Sequence, residues 1–553
     1  MSPIDRRQFV AGSLAAGGAA TLGVLASPSA QAATDPTFAH GVASGDPLPT
    51  AVVIWTRVTP TGASTPGSGR GPGVTVTWQV ATDAGFRTIV RSGSFATGPA
   101  RDHTVKLDAT GLKAGHTYYY RFLYAGHRSP VGRTRTAPAP SATPARLRFG
   151  VVSCTNWQAG YFSAYRHLAA RNDLDAVLHL GDYLYEYGPG EYGYGQGDKD
   201  IRSHTPAHEI VSLADYRQRH AQYKTDPDLK ALHACAPFIV TWDDHETAND
   251  AWKGGAENHT AATEGAYQAR KAAAHRAYDE WMPVRLAGTT ALRDGDRIYR
   301  RLRFGTLAEL SLLDLRSYRD EQVGTELGRA DDPDRSITGV EQMDWLRQGL
   351  SADVQWKLVG NPIMIAPVLV PPLPAEIADG IRDTAGLLPS DGAPYNVDQW
   401  DGYTADRKRV LEHLADRGIT DTVFLTGDIH SAWACDLPQN PGTYPASASL
   451  ATELVCSSIT SNNLDDITGT PRRTGSLSVE AAIQTANRHV RYLNFDDHGY
   501  SVLEVTPAQV QMDWFAISER ADPKATASRQ ASWAVAAGTQ RVKATTTPIG
   551  GGR

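Results

Sequence analysis

The sequence predicts a layered α/β domain that is preceded by a small all-β sandwich. Residues 38–136 contain short β-type runs separated by turn residues, and beyond them five nearly continuous apolar runs alternate with helical segments. Buried strands interleaved with helices are typical of a sheet that is covered on both faces. The chain has 553 residues, 41% of them hydrophobic and 21% charged, which excludes a disordered or fibrous protein and leaves room for both units.

The β-sandwich is predicted from four runs with strand-like alternation, which are residues 51–57, 74–80, 103–107 and 118–122. Residues 112–122 are similar to the segment that leads into a late strand of fibronectin type III domains, so we expect a fibronectin/Ig-like domain over residues 36–138. Pro138, Pro140 and Pro144 then indicate a linker.

The first residues read as an export signal. Arg6 and Arg7 precede a weakly apolar stretch, residues 10–25, and an Ala-Gln-Ala sequence ends at Ala32. This pattern predicts a twin-arginine signal peptide over residues 1–32, with the twin-arginine translocase as its partner. A membrane anchor would be longer and less diluted by Gly, Ser and Thr. We therefore expect a secreted protein without a transmembrane segment in the mature chain.

Charge and cysteine content exclude two further classes. The 54 basic and 60 acidic residues give a net charge of −6 without a basic run, so the sequence predicts no surface for nucleic acid. Four cysteines are too few for a disulfide scaffold. Cys435 and Cys456 either form one disulfide or remain free thiols.

The α/β domain is predicted over residues 145–525, followed by a C-terminal tail over residues 526–553. Its five apolar runs are residues 147–154, 176–182, 238–245, 356–361 and 422–430, and polar residues stand at the end of each run. In such sheets the chemistry gathers beyond the carboxyl ends of the strands. A single sheet would therefore bring these residues to one edge: Cys154, Asp182, Tyr185, Asp243, Asp244, His245, Asn361, Asp428 and His430.

The residue types in this set point to metal ions. Thiolate, phenolate, carboxylate and imidazole ligands together suit a first-row transition metal, and Cys with Tyr favours iron. A neighbouring position richer in oxygen ligands would suit a harder ion.

Three segments carry a resemblance to a known family. Residues 181–185 (GDYLY), 244–246 (DHE) and 427–430 (GDIH) are similar to the calcineurin-like metallophosphoesterase pattern, in its purple-acid-phosphatase branch. Asp244 stands in place of an Asn, Asp428 in place of a His, and Cys154 in place of an Asp. These departures resemble the alkaline phosphatase D (PhoD-like) family, as do residues 153–158, 242–250 and 313–319. The resemblance implies an α/β (α+β) fold in which a four-layer β-sandwich is flanked by helices.

The resemblance also implies two metal sites. The first, for iron as Fe3+, would be held by four residues, of which Asp182 would bridge the metals: Cys154, Asp182, Tyr185 and His430. Asp244 and Asp428 would serve the second site, for calcium or another divalent metal. Asp243 or Asn249 would serve an additional calcium, and Asn361 stands where related phosphatases place a His. The sequence leaves open which of Asp243 and Asp244 is a ligand.

Other residues are expected beside the metals. By the same resemblance, His245 would protonate the leaving oxygen or contact phosphate, and Asn156 and Arg316 would contact phosphate. Pairing with Asp314 is the alternative for Arg316. His498 belongs either to the rim of the site or to the supporting structure.

The implied activity is hydrolysis of phosphate monoesters and diesters by a hydroxide that the metals activate. Metal-dependent phospholipase D activity is the alternative, with phospholipid or teichoic acid as substrate. A non-enzymatic binding module is a third reading. The sequence contains neither a G-x-S-x-G motif nor a His-x-Lys motif, which excludes serine hydrolases and phospholipase D of the His-x-Lys type. The long loops at residues 188–209 and 368–403 are expected to be solvated surface, a lid, or a lipid-facing rim.

Overall fold

The computed structural model describes residues 36–372 and 392–550. The predicted signal peptide, residues 1–32, lies outside these ranges. The helices are α1 (Ser163–Ala169), α2 (Leu213–Tyr223), α3 (Pro227–Cys235), α4 (Ala261–Glu264), α5 (Tyr267–Trp281), α6 (Val340–Leu350), α7 (Thr404–Asp416), α8 (Leu464–Thr468) and α9 (Gly475–Ala486).

The strands are short, and most of those near the centre of the molecule are buried. They are β1 (Val42–Leu48), β2 (Ala51–Arg57), β3 (Val74–Ala81), β4 (Ile89–Thr97), β5 (Thr104–Thr110), β6 (Thr117–Tyr124), β7 (His127–Arg128), β8 (Gly132–Arg135), β9 (Leu147–Val152), β10 (Ala176–Leu180), β11 (Phe238–Thr241), β12 (Arg300–Phe304), β13 (Ala308–Leu312), β14 (Trp356–Asn361), β15 (Leu369–Pro372), β16 (Gly392–Pro394), β17 (Thr422–Thr426), β18 (Ala432–Pro438), β19 (Ser449–Val455), β20 (Val490–Asn494), β21 (Gly499–Val505), β22 (Gln509–Ile517), β23 (Ala527–Ala536) and β24 (Val542–Ala544).

Two large sheets form the centre of the molecule. The first has ten strands in the order β24-β23-β22-β21-β9-β10-β11-β1-β2-β5, and the second has seven in the order β12-β13-β14-β17-β19-β18-β20. Strands β9, β10, β11 and β1 run parallel, as do β13, β14, β17 and β19. The sheets pack face to face and helices cover their outer faces. This arrangement confirms the expected four layers.

The apolar character of the central strands follows from burial on both faces. In β10, Leu178 and Leu180 pack against the seven-stranded sheet, where they join Leu312 and Leu425. Val177, which precedes Leu178, points to the other face and packs in the cluster under the helices. Successive side chains of a strand point to opposite faces, so a strand that is covered twice reads as a continuous apolar run.

The predicted N-terminal sandwich is present, but one of its layers belongs to the central sheet. Strands β1, β2 and β5 pack against a second sheet of order β4-β3-β6-β7, in which β8 also pairs with β6. Strand β1 pairs in parallel with β11, with Gly45 opposite Phe238. A Cβ atom at Gly45 would lie 2.0 Å from the Pro283 carbonyl oxygen, so glycine allows this close approach.

The structure corrects the C-terminal tail that the sequence predicted for residues 526–553. Strand β23 pairs with β22 and β24 pairs with β23, which extends the ten-stranded sheet to its edge. Val535 and Val542 are buried in the core between the two sheets. Exposed polar residues interrupt the apolar positions of β23, and this mixed pattern obscured an edge strand.

The cysteines are free thiols throughout the described ranges. Cys435 packs on the outer side of the seven-stranded sheet, whereas Cys456 packs in the core between the sheets. The disulfide reading is therefore wrong, because the two side chains lie on opposite faces.

Of the two long loops, residues 188–209 are described in full, and residues 373–391 of the second lie outside the described ranges. Among the helices that the structure describes, none is long and apolar enough to cross a membrane.

Candidate metal centre

The candidate metal centre lies at the carboxyl ends of strands from both sheets. Cys154 follows β9, Asp182 follows β10, and Asp243 follows β11 in the ten-stranded sheet. Asp428 and His430 follow β17 in the seven-stranded sheet. The expectation of a single sheet is thus corrected: two packed sheets present their strand ends at one edge.

Four of the predicted ligands have an unusual backbone conformation. The φ angles of Cys154, Asp182, Asp428 and His430 are 58°, 53°, 64° and 55°. Residues other than glycine rarely adopt this left-handed region, and such residues cluster at functional sites where the surrounding structure imposes them. The left-handed conformation of these four strand-end residues is therefore typical of a functional site.

Glu246 holds two of these loops together. Its carboxylate accepts hydrogen bonds from the backbone N–H groups of Asp182 at 3.1 Å, Tyr183 at 2.5 Å and Asp243 at 2.8 Å. Gly181 permits this proximity, since a Cβ atom there would lie 2.5 Å from the Cβ of Asp243. Glu246 stands within the DHE segment, but the sequence pattern does not indicate this bracing role.

The described residues contain three groups that could each hold a metal ion, and in each group the ligand atoms lie within 4.8 Å of one another. The groups are Cys154, Asp182 and His430; Asp182, Asp244 and His245; and Asp243, Asp244 and Asp428. Asp182 belongs to the first two groups and Asp244 to the last two. Adjacent groups that share a carboxylate suit neighbouring cations with a bridging ligand.

Tyr185 completes the first group. Its hydroxyl donates a hydrogen bond to Asp182 Oδ2 at 3.0 Å and lies 3.3 Å from His430 Nε2. Ser461, which no sequence motif marked as a site residue, donates to the same hydroxyl at 2.6 Å. Nδ1 of His430 lies 2.9 Å from the carbonyl oxygen of Asn462, which leaves Nε2 facing the group.

The electrostatics of the centre call for cations. Asp182, Asp243, Asp244 and Asp428 are all buried. Burial raises the pKa of Asp182 to about 7, and the charges of Asp244 and Asp428 add to this effect. Burial, together with the neighbouring carboxylates, raises the pKa of Asp243 well above its ordinary value.

The donor atoms also fit a metal. Asp182 Oδ1 and Asp243 Oδ2 are buried and have no hydrogen-bond partner within the part of the chain that the structure describes. Burial and the nearby Asp182 raise the pKa values of the Cys154 thiol and the Tyr185 hydroxyl well above the ordinary ones. A bound cation lowers these pKa values again, because it stabilises the deprotonated carboxylate, thiolate and phenolate ligands. The residues present therefore fit the implied metals.

Arg316 lies at the carboxylate-rich end of the centre. Its Nε donates to Asp243 Oδ1, and its Nη1 donates to Asp398 Oδ1 at 2.9 Å. Its Nη2 lies 3.6 Å from carboxylate oxygens of both Asp244 and Asp428. The alternative pairing with Asp314 is not observed for the guanidinium: only the backbone N–H of Arg316 contacts that carboxylate, at 3.2 Å.

His245 is paired with the carboxylate of Glu186, a residue that the sequence pattern did not predict for the site. Its Nδ1 lies 2.7 Å from Oε2 of Glu186. Burial lowers the pKa of His245, but the carboxylates of Asp244, Glu186 and Asp182 outweigh this effect and raise it well above the ordinary value. Burial raises the pKa of Glu186, and the charge and hydrogen bond of His245 lower it overall.

Three predicted asparagines use their side-chain amides elsewhere. Asn156 donates to the Tyr192 carbonyl oxygen at 2.7 Å, and Asn361 donates to Thr426 Oγ1 at 3.2 Å and accepts from Trp400 Nε1 at 3.1 Å. The amide of Asn249 donates to Glu257.

His498 also lies outside the three groups. Its ring nitrogens lie 2.9 Å from Ser458 Oγ and 2.8 Å from Asp466 Oδ2, in the wall of a neighbouring cavity of about 360 Å³.

Comparisons with known proteins agree with this geometry. The family described as PhoD-like phosphatase matches residues 149–514, and its N-terminal domain matches residues 24–138. Alkaline phosphatase D of Bacillus subtilis (strain 168) is 36% identical over 544 residues, which cover 96% of this chain and 87% of that protein. A solved structure described as "Structure of PhoD" superposes with a TM-score of 0.80 at 35% identity and covers 95% of this chain and 94% of its own. The chain belongs to the PhoD-like phosphatase family.

Proposed function

We propose that the protein is a secreted, metal-dependent alkaline phosphatase and phosphodiesterase that hydrolyses phosphate monoesters and diesters. The observation that carries the proposal is the chain of ligand groups in which Asp182 belongs both to the group with Cys154 and His430 and to the group with Asp244. Family membership supports it, since the Bacillus relative is named alkaline phosphatase D.

The first site is proposed for iron, as Fe3+, and the second for calcium or another divalent metal. Cys154, Asp182, Tyr185 and His430 would hold the iron, because a thiolate and a phenolate suit that metal. Asp244 and Asp428 would hold the second ion through oxygen ligands. When bound, such cations polarise the phosphoryl group and activate a water molecule.

Arg316 is proposed to bind a phosphoryl oxygen. Its Nη2 is buried and has no hydrogen bond to any residue in the described ranges, although its other nitrogens are engaged. Asp243 and Asp398 hold the guanidinium in place. A positioned guanidinium that donates to phosphate stabilises charge that develops during the reaction.

His245 is proposed to donate the proton that the leaving oxygen requires. Its position beside Asp182 and Asp244, and the Glu186 carboxylate 2.7 Å from its Nδ1, suit this role. General acid catalysis of this kind contributes a factor of about 10² to 10⁴.

The test combines metal content with hydrolysis. Protein purified from its native secretion route is analysed for iron and calcium and assayed with bis(p-nitrophenyl) phosphate, as wild type and as Asp182→Ala. We expect both metals in the wild type and the loss of both metal and activity in the variant. Asp344→Ala, which removes an aspartate from the exposed face of α6, is the matched control and should retain activity. A metal-free active wild type, or a fully active Asp182→Ala variant, would overturn the proposal.

The substrate is tested separately. Release of choline from phosphatidylcholine would assign phospholipase D activity, and release of phosphorylated polyol from teichoic acid would assign a cell-wall substrate.

Export through the twin-arginine translocase is proposed from Arg6 and Arg7. Substitution of both residues by Lys should leave unexported precursor in the cell.

A further inference from the structure

A cavity of about 360 Å³ lies beside the candidate metal centre, and none of its lining residues belongs to the three ligand groups of that centre. We call it the acidic cavity. It is lined by residues 194–196 of the first long loop, by residues between 465 and 472 at and after α8, by Asp496 and His498, and by residues 517–520 at the end of β22. Asp496 and Arg520 are each 2% exposed, whereas Arg472 and Glu519 are exposed. The acidic cavity therefore opens to solvent above buried polar side chains.

Asn462 forms a wall between the acidic cavity and the metal centre. Its carbonyl oxygen lies 2.9 Å from Nδ1 of His430, a residue of the centre. Its side-chain oxygen accepts hydrogen bonds from Arg520 Nη2 at 2.8 Å and from the backbone N–H of Gly195 at 3.0 Å, and both of these residues line the cavity. An extended substituent on a substrate at the metal centre therefore has the acidic cavity next to it.

Negative charge exceeds positive charge in the lining of the acidic cavity. The charged side chains found there are four carboxylates and two guanidinium groups, those of Asp465, Asp466, Asp496, Glu519, Arg472 and Arg520. Arg520 pairs with Asp466 at 2.8 Å, and Arg472 pairs with Asp497, which is not part of the lining. Asp465, Asp496 and Glu519 form no ion pair with any residue that the structure describes. The cavity thus offers three carboxylates to a cation from outside.

The carboxylate of Asp496 has one oxygen atom that no donor reaches. Its Oδ2 accepts hydrogen bonds from the backbone N–H of Arg473 and from Ser476 Oγ. Its Oδ1 is buried and has no hydrogen-bond partner within the ranges that the structure describes. A buried acceptor without a donor is unfavourable, and such an atom in a cavity wall indicates a missing ligand or water molecule. Burial and the charges of Asp466 and Asp496 raise the pKa of Asp465 to about 7, so this second carboxylate also gains from a nearby cation.

We propose that the acidic cavity binds a primary ammonium group carried by one ester alcohol of the substrate, with Asp496 and Asp465 as its acceptors. The proposal rests on the proposed function, because the phosphate of the same substrate would lie at the metal centre. A primary ammonium group carries one positive charge and three donors on a compact head. Charge-assisted hydrogen bonds from such a group would satisfy the open oxygen of Asp496 and offset the excess negative charge.

A quaternary ammonium group or a metal ion suits the acidic cavity less well. Quaternary ammonium groups are bound by the faces of several aromatic rings. Tyr194 supplies the one phenol ring among the described lining residues, and the guanidinium of Arg520 lies 4.4 Å from its centroid. In the described part of the chain, no three side chains of this cavity bring metal-ligand atoms within 4.8 Å of one another. A donor of hydrogen bonds is therefore the better match.

The first test compares four 4-nitrophenyl phosphate diesters whose second alcohol group is hexyl, 6-aminohexyl, 6-(trimethylammonio)hexyl or 5-carboxypentyl. We expect the 6-aminohexyl ester to have a KM about tenfold lower than that of the hexyl ester at an unchanged kcat, because the ammonium contact adds binding without changing the chemical step. The trimethylammonio ester should gain less than about threefold, and the carboxypentyl ester should gain nothing. Equal KM values for the hexyl and 6-aminohexyl esters, as expected of a cavity that holds water only, would overturn the proposal. A quaternary group bound as well as the primary one, or a preference for the carboxylate, would also overturn it.

The second test removes one negative charge from the cavity. Asp496→Asn should raise the KM of the 6-aminohexyl ester about tenfold and leave kcat and KM of the hexyl ester within about twofold of the wild type. Glu341→Gln, which removes an exposed carboxylate from α6, is the matched control and should keep the preference for the amine. If Asp496→Asn fails to fold, Asp465→Asn, at a half-buried position, takes its place. A folded variant that keeps the full preference would overturn the proposal.

Binding of dansylcadaverine, a fluorescent primary amine, separates this proposal from the proposed function. Fluorescence anisotropy measures the binding without hydrolysis, and the N-acetylated compound is the uncharged control. We expect the wild type to bind the amine about tenfold more tightly than the acetylated compound, and Asp496→Asn to lose this difference. If none of the esters is hydrolysed, the proposed function falls, and the difference in binding alone supports or overturns the ammonium site. If the esters are hydrolysed without a preference for the amine, only the ammonium site is overturned.

Discussion

The two ends of the candidate metal centre are built from different donors, although both lie at strand ends. One end combines the Cys154 thiol and the His430 imidazole with the shared Asp182, and the other consists of Asp243, Asp244 and Asp428. Among the residues that the structure describes, only the second end holds a guanidinium, that of Arg316, among its carboxylates. The positive charge of Arg316 thus offsets part of the negative charge of the three aspartates at the second end. The thiol end depends on a bound cation for the same purpose.

The largest expected effect tests whether the thiol end selects its own metal. Cys154→Ser should remove iron while the harder ion stays, because a hydroxyl is a poor ligand for that site. Hydrolysis of bis(p-nitrophenyl) phosphate should fall about 10³-fold, since the lost cation supplies several kcal/mol of transition-state stabilisation. Elemental analysis and steady-state rates measure both changes. Cys435→Ser, at a buried thiol outside the centre, is the control and should keep its iron. Retention of iron in Cys154→Ser would show that the thiol does not select the metal at its end of the centre.

The next effect concerns Arg316. Arg316→Met leaves Asp243 and Asp398 as buried carboxylates without their guanidinium, which should lower the free energy of unfolding by about 3–5 kcal/mol. Urea unfolding of wild type and variant measures this change. Arg329→Met, on an exposed surface pair, should stay within about 0.5 kcal/mol of the wild type. If Arg316→Met were as stable as the wild type, the buried carboxylates would not need the Arg316 guanidinium for the stability of the fold.

A smaller effect is expected from Lys224, which contacts Tyr183, the residue that follows Asp182. Its Nζ donates to the Tyr183 hydroxyl at 2.9 Å and lies 3.3 Å from His233 Nε2. Burial lowers its pKa to about 7. Between that value and the ordinary lysine value of about 10.4, the unfolded chain binds a proton that the folded chain does not, so this group makes stability rise with pH by up to about 1.4 kcal/mol per unit.

Urea unfolding at several pH values between 7.5 and 9.5 tests this sign. Lys224→Met should flatten the rise, whereas Lys408→Met, at an exposed position of α7, should not. A wild-type slope that persists in Lys224→Met would assign it to other groups.

The smallest effect concerns the remaining cysteines. Since Cys435 and Cys456 lie on opposite faces of a sheet, a reducing agent should leave the Tm unchanged to within about 1 °C, well below the shift of several degrees that follows the loss of a disulfide. A clear drop in Tm under reduction would contradict the free thiols. It would also weaken the distinction between Cys154 and the other cysteines.

The sequence predicted most of the fold because the central strands are buried on both faces, which leaves apolar runs such as residues 176–180. It predicted Asp182, Asp244, Asp428 and His430 as neighbours because polar residues directly after such runs meet at one edge. It missed β23, where polar residues dilute the apolar pattern. It also missed the pairing of β1 with β11, which makes one layer of the N-terminal sandwich part of the ten-stranded sheet.

The parts of the site that sequence did not predict depend on contacts between distant segments. Glu186 follows Tyr185 in the chain, but its contact with His245, 59 positions later, forms only in the folded structure. Asp398 lies in a loop without periodicity and becomes relevant only because Arg316 reaches it. Asn361 matched a ligand position in the family pattern, yet Trp400 and Thr426 occupy its amide. Chemical type and spacing identify candidates, whereas the direction of a side chain is set by tertiary packing.

The ten-stranded sheet has a consequence for the order of folding during synthesis. Strand β9, which leads into Cys154, lies between β10 and β21, and Arg148 contacts Glu504, 356 positions later. A growing chain therefore carries β9 with one open edge until nearly all of it has left the ribosome. Open strand edges invite aggregation, and long-range pairing is slow. We infer that truncated chains aggregate rather than fold, and that the metal-binding loops take shape only when the last quarter of the protein has been made.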